Sequence, residues 1–162
     1  MAKFRLTSSV VLASVLSACQ FSESRYLPRQ VHRDEVVGNW VGTNAGMEGL
    51  RYAQLTTELR PEQHQLRFLG DGTCTGHAVV GPDIRDTGLT GLWITADTGC
   101  TWSLRSDDGH QALEIVREAR GEPPGRLSLY FDEDKDGLLL WGYATDPDAW
   151  RYVEFSKSRP AG

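Results

Sequence analysis

Short runs in which apolar and polar residues alternate are the feature that most limits how this chain folds. Successive side chains of a β-strand point to opposite faces, so a period of two is typical of a strand with one buried face. The pattern recurs from Val36 to near the end of the chain, and its clearest runs are 65–68, 126–131 and 150–155. It predicts one β-strand after another.

Glycine and aspartate separate these runs as tight hairpin turns require. Such turns need positive φ, which glycine adopts without strain and aspartate tolerates. The clearest examples are Gly70-Asp71-Gly72, Asp108-Gly109 and Asp136-Gly137. Strands at a spacing of roughly 8 to 14 residues favour an antiparallel meander, closed into a barrel or folded as a sandwich. We expect an all-β fold, a single antiparallel meander β-barrel of about 8–10 strands, because closure removes exposed strand edges.

One segment is ambiguous between helix and strand. Met47, Leu50 and Ala53 have the spacing of three to four residues that is typical of a helix, but Thr57 does not continue the stripe. We expect a strand from Tyr52 to Leu59, with at most a short helical turn before it.

The first 19 residues resemble the signal and lipobox of exported bacterial lipoproteins. Lys3 and Arg5 precede an apolar run from about Val10 to Leu16, which is shorter than a membrane span and ends in Leu16-Ser17-Ala18-Cys19. The resemblance implies cleavage before Cys19, diacylation of its thiol and acylation of the new amino end. An ordinary signal peptide with an incidental cysteine is the alternative.

The same resemblance assigns a location. Acyl chains on Cys19 hold a protein on a membrane through the burial of their methylene groups. The residue after Cys19 is Gln20 and not aspartate, which in this class favours the outer membrane, on its periplasmic side. The expected organisation is a signal peptide at 1–18, an acylated Cys19 with a polar tether at 19–34, and one barrel domain at 35–162.

The two remaining cysteines, Cys74 and Cys100, are expected to form a disulfide. Two thiols in an oxidising compartment commonly pair. A redox or metal-binding pair is the alternative, although the chain contains no C-x-x-C motif.

Gly38-Asn39-Trp40 at the start of the first predicted strand resembles the G-x-W motif of the lipocalin-like (calycin) barrels. The resemblance implies that Trp40 closes one end of the barrel beneath a basic side chain of the last strand, for which Arg151 and Lys157 are the candidates. Residues 145–148 loosely resemble a second lipocalin motif, but Pro147 replaces the usual aromatic residue. A core tryptophan in another kind of β-barrel is the alternative.

Four tryptophans in strand-like segments are the candidate ligand-binding residues: Trp40, Trp93, Trp102 and Trp141. Lining an open interior, they would accept a small apolar ligand. Alternatively they fill the barrel, as side chains do in barrels of about eight strands. Near the last hairpin, Tyr143, Trp150 and Tyr152 are candidates for a surface patch that binds a partner protein.

Signals for metal binding and catalysis are weak. Asp132, Asp134 and Asp136, followed by Gly137, match the first half of a calcium loop, but its twelfth position is Tyr143. We expect a solvated acidic hairpin turn there, with weak calcium binding as the alternative, and no metal site at the histidines. The chain has no G-x-S-x-G nucleophile elbow, and we expect neither an enzyme nor a cofactor.

Charge argues against nucleic acid as a partner. The formal net charge is -5, and it becomes -7 without residues 1–18, which carry Lys3 and Arg5 and no acid. Phosphate binding needs clustered cations.

Taken together, these features predict a membrane-anchored envelope lipoprotein that binds a small apolar ligand. The alternative is an interaction or inhibitor protein of the envelope whose barrel is filled.

Overall fold

A computed structural model describes residues 25–54, 60–83, 90–95, 99–118, 124–144 and 152–158. Almost all of its regular structure is β. The described strands are β1 (Gly38–Gly42), β2 (Gln65–Phe68), β3 (Thr73–Asp83), β4 (Thr90–Ile94), β5 (Gly99–Asp107), β6 (His110–Glu118), β7 (Gly125–Asp134), β8 (Gly137–Tyr143) and β9 (Tyr152–Lys157). The described helices are α1 (Arg33–Val36) and α2 (Asn44–Tyr52), and a 3-10 turn covers Pro61–Gln63.

The strands close into an antiparallel barrel in which each strand neighbours the next along the chain, except that β5 pairs with β3 instead of β4. β1 pairs with β2 on one side and with β9 on the other, where Trp40 lies opposite Lys157. β4 and β5 pair with successive parts of the same edge of β3. The two strands therefore count as one strand of the barrel wall. The described part of the chain thus forms an eight-stranded closed barrel, which confirms the predicted fold class and is consistent with a lipocalin-like shape.

Two predicted turns occur where the sequence places them. Asp108 and Gly109 join β5 to β6 with φ of 46° and 81°, the double positive φ of a tight hairpin turn. In the β7–β8 turn, the Asp134 carboxylate accepts the backbone N–H groups of Asp136 at 2.8 Å and Gly137 at 3.1 Å. Asp108 thus adopts the backbone conformation of its turn, and Asp134 stabilises the backbone of the other turn by hydrogen bonds.

The upper end of the barrel, where β1 begins, is closed by α1 and the residues before it. Val31 and Val36 are buried in the core, and the indole N–H of Trp40 donates to the Val36 carbonyl at 2.8 Å. The ammonium of Lys157 lies 6.0 Å from the Trp40 ring centre and donates to the Glu35 carbonyl at 2.6 Å. Of the two basic candidates for this position, Lys157 therefore occupies it, and Arg151 lies outside the described residues.

Helix α2 closes the lower end and corrects the start of the strand predicted from Tyr52 to Leu59. Tyr52 is the last residue of the helix, and residues 55–59 lie outside the described part of the chain. Met47 and Leu50 pack into the core from the helix, while the Thr43 hydroxyl caps it by accepting from the Gly46 N–H at 3.1 Å. The apolar residues at helical spacing therefore extend the helix as far as Tyr52.

Cys74 and Cys100 lie directly opposite each other on β3 and β5, with their Cα atoms 5.1 Å apart and their sulfurs bonded. The structure confirms the predicted pairing of Cys74 with Cys100. It joins β5 to β3 close to the upper end of the barrel.

The centre of the barrel is packed with large side chains. One continuous core cluster contains inward-facing residues from all parts of the wall and from both ends. Its fully buried members, each 0–1 % exposed, include Trp40, Met47, Leu50, Leu66, Phe68, Ile94, Leu113, Ile115, Leu129, Leu140, Val153 and Phe155.

Candidate functional site

Two of the four candidate tryptophans lie inside the barrel, at its upper end. Trp40 is fully buried and Trp102 is 4 % exposed. The Trp102 ring meets Phe68 edge-on at 5.7 Å, and its N–H donates to the Leu69 carbonyl at 3.0 Å. Both indoles have their polar atom hydrogen-bonded and their rings packed, as core residues do.

Trp93 and Trp141 occupy other environments. Trp93 packs against the edge of the core and is partly exposed, with the ring of His77 5.9 Å away. Trp141 lies on the outer side of the barrel wall but is only 1 % exposed, because Arg25, Tyr26 and neighbouring tyrosines cover its ring. The four tryptophans therefore do not share one interior. Its neighbours Leu140 and Gly142 face inward, so the alternation of β8 turns the Trp141 ring outward.

Around Trp141 the outer wall carries a cluster of tyrosines. Tyr130, Tyr143 and Tyr152 have ring centres 5.2–5.4 Å from that of Trp141, and they come from β7, β8 and β9. The antiparallel register explains the cluster, because Tyr130 is opposite Trp141 and Tyr143 is opposite Tyr152. We call Tyr130, Trp141, Tyr143 and Tyr152 the outer aromatic face.

Arg25 covers the middle of this face. Its guanidinium lies 4.3 Å above the Tyr152 ring and 5.0 Å above that of Trp141, and it forms an ion pair with the Glu154 carboxylate. A second carboxylate, that of Asp132, lies 3.5 Å away. Glu154 is only 9 % exposed and also accepts the Thr43 hydroxyl at 2.7 Å. The positive charge of Arg25 thus balances a carboxylate that would otherwise be costly to bury.

Tyr26 extends the contact toward the upper end of the barrel. Its ring stacks on His110 at 3.8 Å and meets the Tyr130 ring edge-on at 5.1 Å. Burial raises the pKa of both tyrosines, and for Tyr130 the hydrogen bond to the Asp107 carboxylate adds to this effect. Both hydroxyls therefore stay protonated over the physiological pH range. We call Arg25 and Tyr26, with these contacts, the clasp.

The clasp belongs to the segment that the sequence indicates as a tether. After it, the Leu27 N–H donates to the Phe131 carbonyl at 2.9 Å. The Gln111 side chain bonds both backbone groups of Val31, at 2.6 and 2.9 Å. From Arg25 onward this segment is therefore held on the barrel. Sequence reasoning missed the clasp, although an arginine, a tyrosine and a leucine in succession at 25–27 are a signal that the segment packs.

Several grooves lie on the outside of the barrel, and two of them border the β5–β6 and β7–β8 hairpins. The rim groove, of about 580 Å³, runs between the segment 27–30 and the β5–β6 hairpin, and its lining includes Arg29, Arg105 and His110. The hairpin groove, of about 800 Å³, lies between the start of α2 and the β7–β8 hairpin, and its lining includes Leu139, Glu154 and Lys157. A ligand or partner segment that binds in either groove would contact charged and polar side chains as well as apolar ones.

The calcium candidates do not converge. Asp132 faces Arg25, whereas Asp134 is engaged with the backbone of its own turn. Within the described ranges, no group of three or more histidine, cysteine, aspartate or glutamate side chains is placed to hold a metal ion. The predicted acidic hairpin turn is present, and its carboxylates serve the clasp and the turn.

Comparison with protein-family models, curated proteins and solved structures gave no match to this chain. The likeness to lipocalins therefore rests on the barrel and on Trp40. Among the helices that the structure describes, none has the length and apolar character of a membrane span. Cys19 lies outside the described residues, and its lipidation stays a prediction.

Proposed function

We propose that the protein is a lipid-anchored lipoprotein of the bacterial outer membrane that docks another envelope protein through the outside of a filled barrel. The observation that carries this proposal is the packed centre, in which Trp40 and Phe68 are 0 % exposed. An apolar ligand of ordinary size needs a pocket of about 300 Å³ or more. The grooves outside the barrel offer such volumes, and their linings include charged side chains.

The rim groove is the docking surface that we favour. Arg29 and Arg105 lie along it, with 42 % and 59 % of their side chains exposed. Each arginine pairs with a glutamate of this chain, Arg29 with Glu35 at 2.9 Å and Arg105 with Glu114 at 2.7 Å. A guanidinium can donate to more than one acceptor. The groove therefore suits a partner segment that presents carboxylates or backbone carbonyls.

Site-specific crosslinking tests the docking. A photoreactive amino acid at Ser106, which is exposed in the rim groove, is expected to give one adduct of defined mass in intact envelopes. Arg105→Glu should remove that adduct because it reverses the charge at the groove. Arg126→Glu is the matched control, since Arg126 contacts the same Glu114 carboxylate from outside the groove lining. No adduct at Ser106, or an adduct that Arg105→Glu leaves unchanged, would refute docking at this groove.

Native mass spectrometry separates docking from ligand carriage. The full chain with Cys19→Ser, purified without detergent extraction, is expected to show the mass of the protein alone. A stoichiometric apolar molecule retained by that protein would instead support the ligand-binding alternative.

The anchoring is tested on the mature protein itself. Mass measurement is expected to find residues 1–18 removed and Cys19 carrying acyl chains, and separated envelopes should hold the protein in the outer membrane. An unmodified Cys19 would remove the anchor and the location from the proposal.

A further inference from the structure

The chain that leads from the predicted anchor reaches the barrel on one particular face. Arg25 is the first described residue, and its guanidinium lies over Tyr152 and Trp141 at the centre of the outer aromatic face. Tyr26 and the hydrogen bond from Leu27 to Phe131 then fix the direction of the backbone. The chain that comes from Cys19 therefore first contacts the described barrel at this face.

The clasp also shortens the free connection to Cys19. Six residue steps separate Cys19 from Arg25, and an extended chain covers at most about 3.6 Å per residue, so their Cα atoms lie within about 22 Å of each other. If the segment were free as far as residue 34, the same limit would be about 54 Å. With Cys19 acylated, the outer aromatic face stays within the shorter distance of the bilayer surface.

The residues on this face suit the interface between lipid and water. Tyrosine combines an apolar ring with a polar hydroxyl and is enriched at the headgroup level of membranes. Tyr130, Tyr143 and Tyr152 are each partly exposed, whereas Trp141 beneath Arg25 is 1 % exposed, so the tyrosines form the accessible part of the face. Tyr52, at the end of α2, is 62 % exposed, and Gly49 of the same helix abuts the Tyr152 backbone.

We propose that the outer aromatic face is turned toward the bilayer, that its three partly exposed tyrosines contact the phospholipid headgroups, and that the clasp fixes this orientation. The inference rests on the proposed lipidation of Cys19. It adds a second, lipid-facing surface to the protein and leaves the rim groove for a protein partner.

Depth-dependent fluorescence quenching tests the orientation. The lipidated full chain is purified and reconstituted into phosphatidylcholine–phosphatidylglycerol vesicles that contain a lipid with a quencher near the headgroup. A fluorophore is attached to a single introduced cysteine, either Ser128→Cys beside Tyr130 on β7 or Arg67→Cys on β2 of the opposite wall. The label at 128 is expected to lose roughly half of its fluorescence, because interfacial surfaces approach or enter the headgroup layer. The label at 67 should lose little.

Opening the clasp should abolish that difference. Arg25→Gln combined with Tyr26→Ala is expected to bring the quenching at 128 and 67 to similar values. Arg33→Gln is the matched control, because Arg33 also lies over a tryptophan, Trp102, at 4.3 Å, but on the upper end of the barrel. That variant should keep the difference between the two labels.

Flotation of the same vesicles separates this inference from the anchoring on which it rests. Parent protein that fails to float with vesicles would overturn the lipid anchor and with it the orientation. Parent protein that floats, but shows equal quenching at 128 and 67, would overturn the orientation alone. A difference that persists after the clasp is opened would overturn the role of Arg25 and Tyr26.

Discussion

His64 is an imidazole in an apolar part of the barrel. It is 0 % exposed, its Nε2 lies 2.8 Å from both the N and the O of Val79, and its ring centre is 4.7 Å from that of Phe155. Desolvation by burial lowers the pKa of His64 from 6.5 to about 4. The protein therefore holds His64 neutral at pH values where the unfolded chain would protonate it.

Acid should weaken the fold through His64. Because its pKa is lower in the folded state, stability is complete above pH 6.5 and is lost as the pH falls toward 4, by up to about 3 kcal/mol. Urea unfolding at several pH values should show this loss in the parent and less of it in His64→Gln. His77→Gln, at an exposed position, should stay close to the parent, because the charge of His77 is the smallest of the causes that act on the pKa of His64. Identical pH profiles for all three proteins would contradict this account of His64.

The coupling free energy between Arg25 and Glu154 should be larger than that of an exposed ion pair. Arg25→Gln leaves the Glu154 carboxylate, 9 % exposed, without its cation, which we expect to cost about 1–3 kcal/mol. The double variant with Glu154→Gln should recover part of that loss in urea unfolding, as a double-mutant cycle measures. The pair of Arg29 and Glu133, 3.6 Å apart and more exposed, should couple by less than about 0.5 kcal/mol. Equal coupling in both cycles would count against a buried clasp.

At the scale of elements, α2 depends on how closely its backbone approaches β9. A Cβ at Gly46 would lie 2.5 Å from the Glu154 nitrogen, and one at Gly49 would overlap the Tyr152 carbonyl oxygen. The helix therefore presents two glycines to the strand, and its apolar residues Met47 and Leu50 turn into the core. This arrangement seals the lower end next to the clasp.

Gly49→Ala should destabilise the protein although alanine is the better helix former. Helix propensity favours the change by about 1 kcal/mol, but the overlap with β9 should outweigh it and leave a net loss of about 1–3 kcal/mol. Thermal unfolding would measure the loss. Gly99→Ala is the control, because nothing lies within 4 Å of its added Cβ. A stabilised Gly49→Ala protein would show that α2 moves away from β9 at little cost.

For the whole molecule, the disulfide adds a covalent link between β3 and β5, two strands that backbone hydrogen bonds already join in the closed barrel. Cys74 and Cys100 enclose 26 residue steps, and closing a loop of that size lowers the entropy of the unfolded chain by an amount that stabilises the fold by about 3.5 kcal/mol. The double variant Cys74→Ala with Cys100→Ala should therefore keep its β-sheet circular dichroism while its free energy of unfolding falls by about 2–4 kcal/mol. Loss of the sheet signal itself would mean that the crosslink is required for closure.

Trp141 shows where the alternation of apolar and polar residues fails to predict which face of a strand points into the barrel. In 126–131 the leucines alternate with polar residues, so the inward face is clear from the sequence. In β8 the run Leu138 to Trp141 is apolar at every position, so both faces look equally buried and the phase of the strand is undetermined. Trp40 is easier to place, because Gly38-Asn39-Trp40 at the start of the first strand resembles a motif whose tryptophan closes one end of the barrel.

The sequence by itself determined the order of strands and turns and therefore the all-β class, because alternation and positive φ are local properties of the chain. It also predicted the pair of Cys74 and Cys100, on the expectation that Cys19 carries lipid, and the structure places the two sulfurs in bonding contact. Only the tertiary structure decided that the centre is packed, that Trp141 faces outward and that Arg25 and Tyr26 hold the supposed tether. Those features depend on which residues meet across a closed sheet, and contacts between distant segments, such as Arg25 with Glu154, leave no periodic signal in either segment.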